Sequence, residues 1–203
     1  MKILAIGRNY VEHIEELNNE RPDDPVIFMK PDTAILKNNA PFFFPDFSKE
    51  IHHEVEIIIK ISKEGKNIQE KFASNYYDKL GIGIDFTARD LQQKLKEKGL
   101  PWTLAKGFNG SAPISDFLPK SNFTNINDLN FSLEIDGQLK QKGNTKLMLY
   151  NIDFIVYYLS KFFTLKKGDV IFTGTPKGVG PVKPGNTLTA FIEEKKLLEF
   201  EVK

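Results

Sequence analysis

Residues Glu54 to Ile61 read Glu-Val-Glu-Ile-Ile-Ile-Lys-Ile, a run that is β-branched and mostly apolar. This composition is typical of a strand that is covered on both of its faces. Glu54 and Glu56 are the exceptions, and because side chains two apart in a strand share a face, their carboxylates would lie side by side. Two adjacent anions in an apolar strand need water or a cation as compensation.

Other short segments of this kind follow along the chain and outnumber the helical patterns. Because helices do not alternate regularly with strands, the sequence favours a β-rich α+β domain over a doubly wound parallel sheet. We see no repeat or linker, and interpret residues 1–203 as one domain. Helices are predicted after Gly7, over 87–99 with Thr87 as cap, and over 152–163; strands are predicted at 3–6, 26–29, 80–86, 131–135 with an Asp136-Gly137 turn, 169–172, and around Pro184-Gly185.

The composition excludes several classes of function. With 28 Lys+Arg against 27 Asp+Glu, the net charge of +1 provides no field that would attract nucleic acid or an anionic membrane. The absence of cysteine excludes disulfides, thiolate zinc and a cysteine nucleophile, so a metal would need carboxylate, imidazole or carbonyl ligands. The apolar stretch at the start of the sequence is too short for the hydrophobic region of a signal peptide. No run of residues approaches the roughly 20 apolar residues of a membrane span. We expect a cytoplasmic protein.

Asp85 interrupts an apolar segment, Gly81-Ile-Gly-Ile84, just before a predicted helix, and it is a natural third partner for Glu54 and Glu56. Three carboxylates on Mg²⁺ or Mn²⁺ would leave about three octahedral positions for water or a bidentate substrate. Two alternatives remain open. The glutamates could line the wet face of an edge strand, and the aspartate could cap a helix or stabilise a turn.

His13 and Glu16 stand three apart on a predicted helix, so the carboxylate can orient the imidazole and raise its basicity. This pair is a candidate general base, although a surface ion pair would show the same spacing.

Lys106 lies in an apolar segment where its ammonium could face an anionic substrate, and a solvated lysine is the alternative. Arg8 and Arg89 carry the same ambiguity.

Gly174-Thr-Pro-Lys-Gly-Val-Gly180 is a glycine-rich segment without the Walker pattern GxxxxGK[ST]. Its backbone N–H groups and the Thr175 hydroxyl could bind a carboxylate, or the segment could be a plain turn. His52 and His53 adjoin the acidic pair, but neighbouring strand residues face opposite ways, so at most one could join it. Trp102 is interpreted as core, since no basic stripe accompanies it.

In their order along the chain and in their residues, these segments resemble the fumarylacetoacetate hydrolase family nearly end to end. The residues of these segments are most similar to those of the small single-domain branch of acylpyruvate hydrolases and oxaloacetate decarboxylases. The sequence departs from many relatives at Asn109 and at Ser115-Asp116, and these departures leave the choice of substrate open. The matching blocks are Gly7-Arg-Asn-Tyr10 with His13 and Glu16, Lys30-Pro31, His53-Glu-Val-Glu56, Asp85-Phe-Thr-Ala-Arg-Asp90 with Gln92, Gly99-Leu-Pro-Trp-Thr-Leu-Ala-Lys106, and Thr173-Gly-Thr-Pro-Lys-Gly-Val-Gly180.

The resemblance implies the mixed β-sandwich roll of the fumarylacetoacetase C-terminal domain, with a few short helices, and a homodimer. It also implies a complete catalytic site. Its members would be the Mg²⁺ or Mn²⁺ ligands Glu54, Glu56 and Asp85, the water-activating dyad His13 and Glu16, the electrostatic partner Lys106, and the substrate-binding residues Arg8, Arg89, Gln92 and Thr175.

The expected activity is metal-dependent hydrolysis of a C–C bond in a 2,4-dioxo acid, an acylpyruvate, giving pyruvate and a carboxylate through an enolate. His13, held by Glu16, would activate the water and Lys106 would stabilise the oxyanion. An oxaloacetate decarboxylase would use the same enolate. An isomerase or tautomerase of an unsaturated 2-oxo diacid (the 2-hydroxyhepta-2,4-diene-1,7-dioate isomerase type) would move protons around a dienolate without breaking a C–C bond. A metabolite-binding module is the non-enzymatic alternative. We also expect residues 8–25 to form a mobile lid over the substrate.

Overall fold

The computed structural model describes residues 1–17 and 20–203. A six-stranded and a four-stranded sheet form most of the molecule, accompanied by smaller three- and two-stranded sheets. The elements in chain order are β1 (Ile3–Gly7), α1 (Val11–Glu16), β2 (Val26–Lys30), β3 (Ile35–Leu36), β4 (Ile51–His53), β5 (Val55–Ile61), β6 (Tyr77–Ile84), β7 (Thr87–Ala88), α2 (Arg89–Glu97), α3 (Thr103–Lys106), β8 (Ala112–Pro113), β9 (Leu118–Pro119), β10 (Asn130–Ile135), β11 (Gln138–Asn144), α4 (Ile152–Phe162), β12 (Val170–Phe172), β13 (Gly180–Pro181), β14 (Thr187–Ile192) and β15 (Lys195–Glu201).

The six-stranded sheet has the order β2-β1-β12-β5-β6-β9 and is antiparallel except between β1 and β12. Its central strand β5 is buried on both faces, because Ile57 and Ile59 enter the main core whereas Ile58 joins a second cluster with Phe172. The prediction of a strand covered on both faces is therefore confirmed. This burial is what makes the two glutamates at its start so unusual.

The four-stranded sheet has the order β11-β10-β14-β15, is antiparallel throughout and contributes Leu133, Ala190 and Leu198 to the same main core. Its first hairpin turns at Asp136 (φ 52°) and Gly137 (φ 74°), the two left-handed residues that a type I′ turn requires. The expected β-rich α+β class and this hairpin are both confirmed. In the part of the chain that is described, no helix is both long enough and apolar enough to pass through a bilayer.

Two local expectations are corrected. Glu54 does not lie within one continuous strand with Ile61, because the chain changes sheets there: β4 pairs with β7 and β13, whereas β5 pairs with β6 and β12. The second helix begins at Arg89, and Thr87 is not its cap. Thr87 is instead extended, pairs with His52 in β4, and donates its hydroxyl hydrogen to the Asp85 carbonyl at 3.3 Å.

The helix expected after Gly7 is present as α1, six residues long, and it carries both His13 and Ile14 as buried side chains. The expected lid, residues 8–25, includes positions 18 and 19, which lie outside the described residues. Its mobility stays a prediction.

Candidate active site

Glu54, Glu56 and Asp85 come together where β5 begins and β6 ends. Val55 pairs with Ile84, so Asp85 lies opposite Glu54, and the Asp85 backbone N–H donates to the Glu54 carbonyl at 2.8 Å. One carboxylate oxygen from each side chain lies within 4.8 Å of the other two. All three residues are buried, with exposures of 5%, 2% and 0%. The predicted acidic triad therefore exists as a spatial cluster.

The triad fits a hard divalent cation. Three buried carboxylates are the ligand type that Mg²⁺ and Mn²⁺ prefer, and three protein ligands leave positions for a substrate. Asp85 Oδ1 is buried without a well-formed hydrogen bond. Lys30 Nζ approaches it to 2.7 Å as an ion pair, but the ammonium directs its hydrogen bonds to the carbonyls of Phe86, Lys106 and Ser111. Lys30 therefore already compensates this oxygen, and a bound metal ion would share it with that ammonium.

The two glutamates differ in their electrostatic environment. Burial would raise the pKa of Glu54, but Lys106 and Arg89 outweigh burial and hold that pKa well below its usual range. Burial raises the pKa of Glu56, the negative charge of Asp85 raises it further, and the Gly174 N–H, at 2.6 Å from Oε2, opposes both. Glu56 is therefore the carboxylate whose charge is least compensated by the protein, and a bound cation would supply that compensation.

Lys106 lies at the centre of the charged cluster. α3 directs its ammonium to Glu54 Oε2 at 2.8 Å and to Asp85 Oδ2 at 2.6 Å, and the Phe28 ring lies 4.9 Å from Nζ. The solvated alternative is wrong, because Lys106 is 3% exposed.

Arg89 is bound on both sides of its guanidinium. Its NH2 group donates to Glu54 Oε1 at 2.6 Å, and its NH1 group donates to Gln92 Oε1 at 2.6 Å. Arg89 and Gln92 stand three apart on α2 and so share one face of that helix.

His13 and Glu16 form the expected pair. His13 Nδ1 lies 3.1 Å from Glu16 Oε2, and Glu16 Oε1 accepts the Gly178 N–H at 2.9 Å. Because one ring nitrogen faces the glutamate, Nε2 is left for proton transfer. His13 is 6% exposed whereas Glu16 is exposed, so the pair joins a buried imidazole to a carboxylate at the surface.

The segment after β12 supports the site through its backbone. Thr173 and Thr175 donate their hydroxyl hydrogens to the carbonyls of Ile57 at 2.8 Å and Val55 at 2.9 Å, which binds the segment along β5. The N–H groups of Gly174 and Gly178 then reach Glu56 and Glu16, as described above. The expected carboxylate-binding loop is thus present, but the carboxylates that it binds belong to the protein.

These residues surround one cavity of about 40 Å³, a volume suited to an ion and one or two waters in this conformation. Glu16 stands behind His13 and does not line it. Among the described residues, the sequence missed Lys96 and Trp102, which line the cavity although Trp102 was interpreted as core. Nine of the ten expected side chains line it: Arg8, His13, Glu54, Glu56, Asp85, Arg89, Gln92, Lys106 and Thr175.

Neither neighbouring histidine belongs to the acidic cluster. His53 Nδ1 lies 2.9 Å from Gln141 Oε1, and His52 contacts Glu50 and Arg89 instead. Gln141, on β11, also accepts the Val55 N–H at 3.0 Å and donates to Thr175 Oγ1 at 2.9 Å. No local pattern in the sequence indicates this contribution, because Gln141 is 86 residues away from Val55.

The family comparison covers nearly the whole chain. Residues 2–203 match the family model described as the fumarylacetoacetate (FAA) hydrolase C-terminal domain. The chain belongs to the fumarylacetoacetate hydrolase family. The expected family and fold class are thereby confirmed, and the members of this family that it matches carry the names of enzymes.

Three members of the fumarylacetoacetate hydrolase family illustrate the similarity. The mitochondrial oxaloacetate decarboxylase of Dictyostelium discoideum is 45% identical over 188 residues, 92% of this chain and 86% of that protein. The mitochondrial oxaloacetate tautomerase FAHD1 of Mus musculus is 41% identical over 201 residues, 99% and 91% of the two chains. The crystal structure of fumarylpyruvate hydrolase from Pseudomonas aeruginosa, in complex with Mn²⁺ and pyruvate, has a TM-score of 0.94 at 32% identity, covering 100% of this chain and 89% of that one.

These names favour the oxaloacetate alternative over the acylpyruvate hydrolase that we expected first. The acylpyruvate hydrolase is supported only by membership of the fumarylacetoacetate hydrolase family. The Mn²⁺ in the Pseudomonas structure is consistent with a divalent ion at the buried triad, without distinguishing Mn²⁺ from Mg²⁺. The two relatives are named as mitochondrial proteins, so a cytoplasmic location stays a prediction.

Proposed function

We propose that this protein is a Mg²⁺- or Mn²⁺-dependent enzyme that interconverts the keto and enol forms of oxaloacetate. The observation that carries this proposal is the placement of the His13–Glu16 pair and the carboxylate triad around one buried cavity. A metal site and a general base at the same cavity are the two parts that enolisation of a 2-oxo acid requires. The names of the relatives support oxaloacetate as the substrate.

Glu54, Glu56 and Asp85 would hold the ion, which when bound withdraws electron density from the 2-oxo group and so lowers the cost of forming an enolate. Arg8, Arg89, Gln92 and the backbone N–H of Thr175 would bind the carboxylate and oxo oxygens. Lys106 would stabilise negative charge that develops on the substrate, since its ammonium already lies among two of the carboxylates.

His13 would move the proton. Its Nε2 takes a proton from C3 of the keto form, the C3–H electron pair becomes the C2–C3 double bond, and the proton is then delivered to the C2 oxygen. Glu16 would keep the ring oriented and stabilise the imidazolium that exists between these two transfers. The Gly178 N–H donates to the second oxygen of that glutamate and so helps to orient it towards the ring.

Decarboxylation of oxaloacetate is the second candidate. The C3–C4 bond would break, CO₂ would leave, and the bond electrons would form the enolate of pyruvate without any base; a proton from solvent at C3 would then give pyruvate. The buried Gln92 amide, held by Arg89 at 2.6 Å, is a suitable group for positioning the leaving carboxylate. The Dictyostelium relative bears the name of this activity.

Hydrolysis of acylpyruvates is the third reaction to be tested. The same His13–Glu16 pair could deprotonate a water, so the pair by itself does not separate hydrolysis from tautomerisation. The resemblance to a fumarylpyruvate hydrolase keeps this reaction within the proposed metal-dependent class.

The test is an assay of the purified protein with Mg²⁺, Mn²⁺ or EDTA on oxaloacetate and acetylpyruvate, following enol absorbance and pyruvate release separately. We expect EDTA-sensitive equilibration of the keto and enol forms, and a loss of about 10²- to 10⁴-fold in kcat in His13→Gln. Glu15→Gln is the matched control, because Glu15 lies exposed on the same helix. Decarboxylation should survive in His13→Gln if it requires no base.

Faster release of pyruvate from acetylpyruvate than turnover of oxaloacetate would instead establish the hydrolase. No activity on either substrate with either metal would reject the proposal and favour a metabolite-binding module. The homodimer and the cytoplasmic location that the sequence indicated are retained as proposals. Multi-angle light scattering and subcellular fractionation test them directly.

A further inference from the structure

Lys96 is a charged residue of the cavity that the proposed reaction leaves without a role. It is half-buried and lies on α2, seven residues after Arg89 and four after Gln92, so all three side chains share one face of the helix. All three line the catalytic cavity. Side chains on a helix lean towards its N-terminus, which directs Lys96 back towards the triad.

The position of Lys96 is determined by neighbouring groups. Its Nζ lies 5.9 Å from the centre of the Trp102 ring, and Trp102 lines the same cavity. Burial lowers the pKa of Lys96, and the nearby guanidinium groups of Arg8 and Arg89 lower it further. The fold therefore brings Lys96 close to two other cationic side chains, of which Arg89 is paired with Glu54.

The charges around the cavity indicate what anion would fit. Arg8, Arg89, Lys96 and Lys106 line it against three carboxylates. A divalent ion on those carboxylates would add two further positive charges. A ligand with two negative charges compensates this surplus better than a ligand with one, because each carboxylate then has a cationic partner.

We infer that Lys96, together with Arg8, binds the distal carboxylate of a dicarboxylic 2-oxo acid and thereby selects diacids over monoacids. This inference rests on the proposed function and specifies the substrate class of the same cavity. The proximal carboxylate and the 2-oxo group would face the triad, and the distal carboxylate would face α2. Lys96 is thus a specificity residue that contacts substrate, and it takes no part in proton transfer.

The experiment uses calorimetric binding to the Mg²⁺-loaded protein of two matched ligands, (S)-malate and (S)-lactate. They differ by one carboxylate, and neither has the 2-oxo group through which it could enolise or lose CO₂. We expect Lys96→Gln to weaken binding of the diacid tenfold or more, while binding of the monoacid changes less than twofold. Lys96→Arg should retain the preference for the diacid.

Lys94→Gln is the matched control, since Lys94 lies exposed on the same helix and away from the cavity. It should leave both affinities unchanged. The inference is overturned if Lys96→Gln changes neither affinity, if it weakens both ligands equally, or if the parent protein binds the diacid no more tightly than the monoacid. Retained binding of the monoacid shows that the variant is folded.

The outcomes for the two proposals are distinguishable. If the parent protein prefers the diacid in a Lys96-dependent manner but turns over no oxaloacetate, the proposed reaction fails and the inference about Lys96 stands. If oxaloacetate is turned over with unchanged kcat/KM in Lys96→Gln, the reaction stands and the role of Lys96 fails.

Discussion

Glu54 and Glu56 are two residues apart in the sequence, yet the fold changes their pKa values in opposite directions. Glu54 has Lys106 and Arg89 as charged partners at 2.8 and 2.6 Å. Glu56 has the Gly174 N–H and the nearby negative charge of Asp85. The metal-free site therefore contains one well-paired carboxylate and one that the bound cation would stabilise.

This difference predicts opposite effects of two conservative substitutions on metal-free protein. Asp85→Asn should lower the free energy of unfolding by about 3 to 5 kcal/mol, because it removes the charge shared by the buried Lys30 and Lys106. Glu56→Gln should leave the free energy of unfolding unchanged or raise it by about 1 kcal/mol, because it removes a poorly compensated charge and keeps an acceptor for Gly174. Urea denaturation in EDTA measures both, and equal losses would contradict the assignment.

The raised pKa of Glu56 also predicts how metal binding depends on pH. A bound Mg²⁺ requires the ionised carboxylate, so protons compete with the metal until the pH has risen through the folded-state pKa. At a magnesium concentration about 100 times its dissociation constant, binding contributes about 2.7 kcal/mol, equivalent to a Tm increase of about 5 to 10 °C.

We expect this Mg²⁺-dependent increase in Tm to grow between pH 5 and pH 8, and to vanish in Glu56→Gln at every pH. Differential scanning fluorimetry with Mg²⁺ or EDTA gives the comparison. A shift that is constant over this pH range would show that Glu56 does not compete with protons for the metal.

At the scale of elements, the segment from Thr173 to Gly180 connects the metal site to the base. It follows β12, lies along β5 through two threonine hydroxyls, and supplies N–H groups to Glu56 and Glu16. The sequence indicated a loop able to bind a carboxylate. The identity of those carboxylates depends on how β12 and α1 pack beside β5.

Gly178 has φ +96°, and an added Cβ would lie 2.5 Å from the carbonyl oxygen of Lys140. Gly185 has a similar φ of +95° but open space around it, which makes it a matched control. Gly185→Ala should lose about 1 to 2 kcal/mol from the left-handed backbone, and Gly178→Ala should lose more, because its Cβ must also displace the Lys140 carbonyl. Gly178→Ala alone should also reduce kcat, about tenfold or more, because its N–H orients Glu16.

Urea denaturation and steady-state assays on the two variants provide this comparison. If Gly185→Ala reduced kcat as much as Gly178→Ala, the effect would be one of general stability. The role assigned to the Gly178–Glu16 hydrogen bond would then be wrong.

At the scale of the whole molecule, Asn9 joins the beginning of the chain to its last third. Its fully buried amide donates to the carbonyls of Tyr150 at 3.0 Å and Thr173 at 2.7 Å, and its oxygen accepts the Tyr150 N–H at 2.8 Å. These bonds span 141 to 164 residues. They hold the start of α1, and with it His13, against the segment that reaches Glu56.

Asn9→Ala should reduce the free energy of unfolding by about 3 kcal/mol, because it leaves several buried backbone groups without hydrogen bonds. Asn125→Ala is the control, since its exposed side chain accepts a local bond from Asn127 and its removal should cost less than about 0.5 kcal/mol. Urea denaturation measures both. Similar losses in the two variants would show that the long-range bonds of Asn9 contribute little.

The sequence by itself determined the β-rich class and the family, and it indicated most of the side chains that the fold gathers around the cavity. These properties follow from patterns of residues that are near one another in the sequence. The patterns are an apolar strand with two acids, an acid at a strand end, a histidine and a glutamate three apart on a helix, and an ordered series of motifs. Strand and helix periodicities act over two to four residues, so a single chain displays them directly. The sequence patterns left the reaction open, because the pair of His13 and Glu16 can activate either a water or a carbon acid.

Tertiary structure decided which charges pair and which side chains share the cavity. Gly174 reaches Glu56 across 118 residues, Lys106 reaches Glu54 across 52, and Gln141 reaches His53 across 88. The change of sheets at Glu54 and the strand at Thr87 likewise depend on pairing with distant segments. The physical reason is that a buried polar group takes its partner from whichever strand packs beside it, and that neighbour is set by the sheet order of the folded chain.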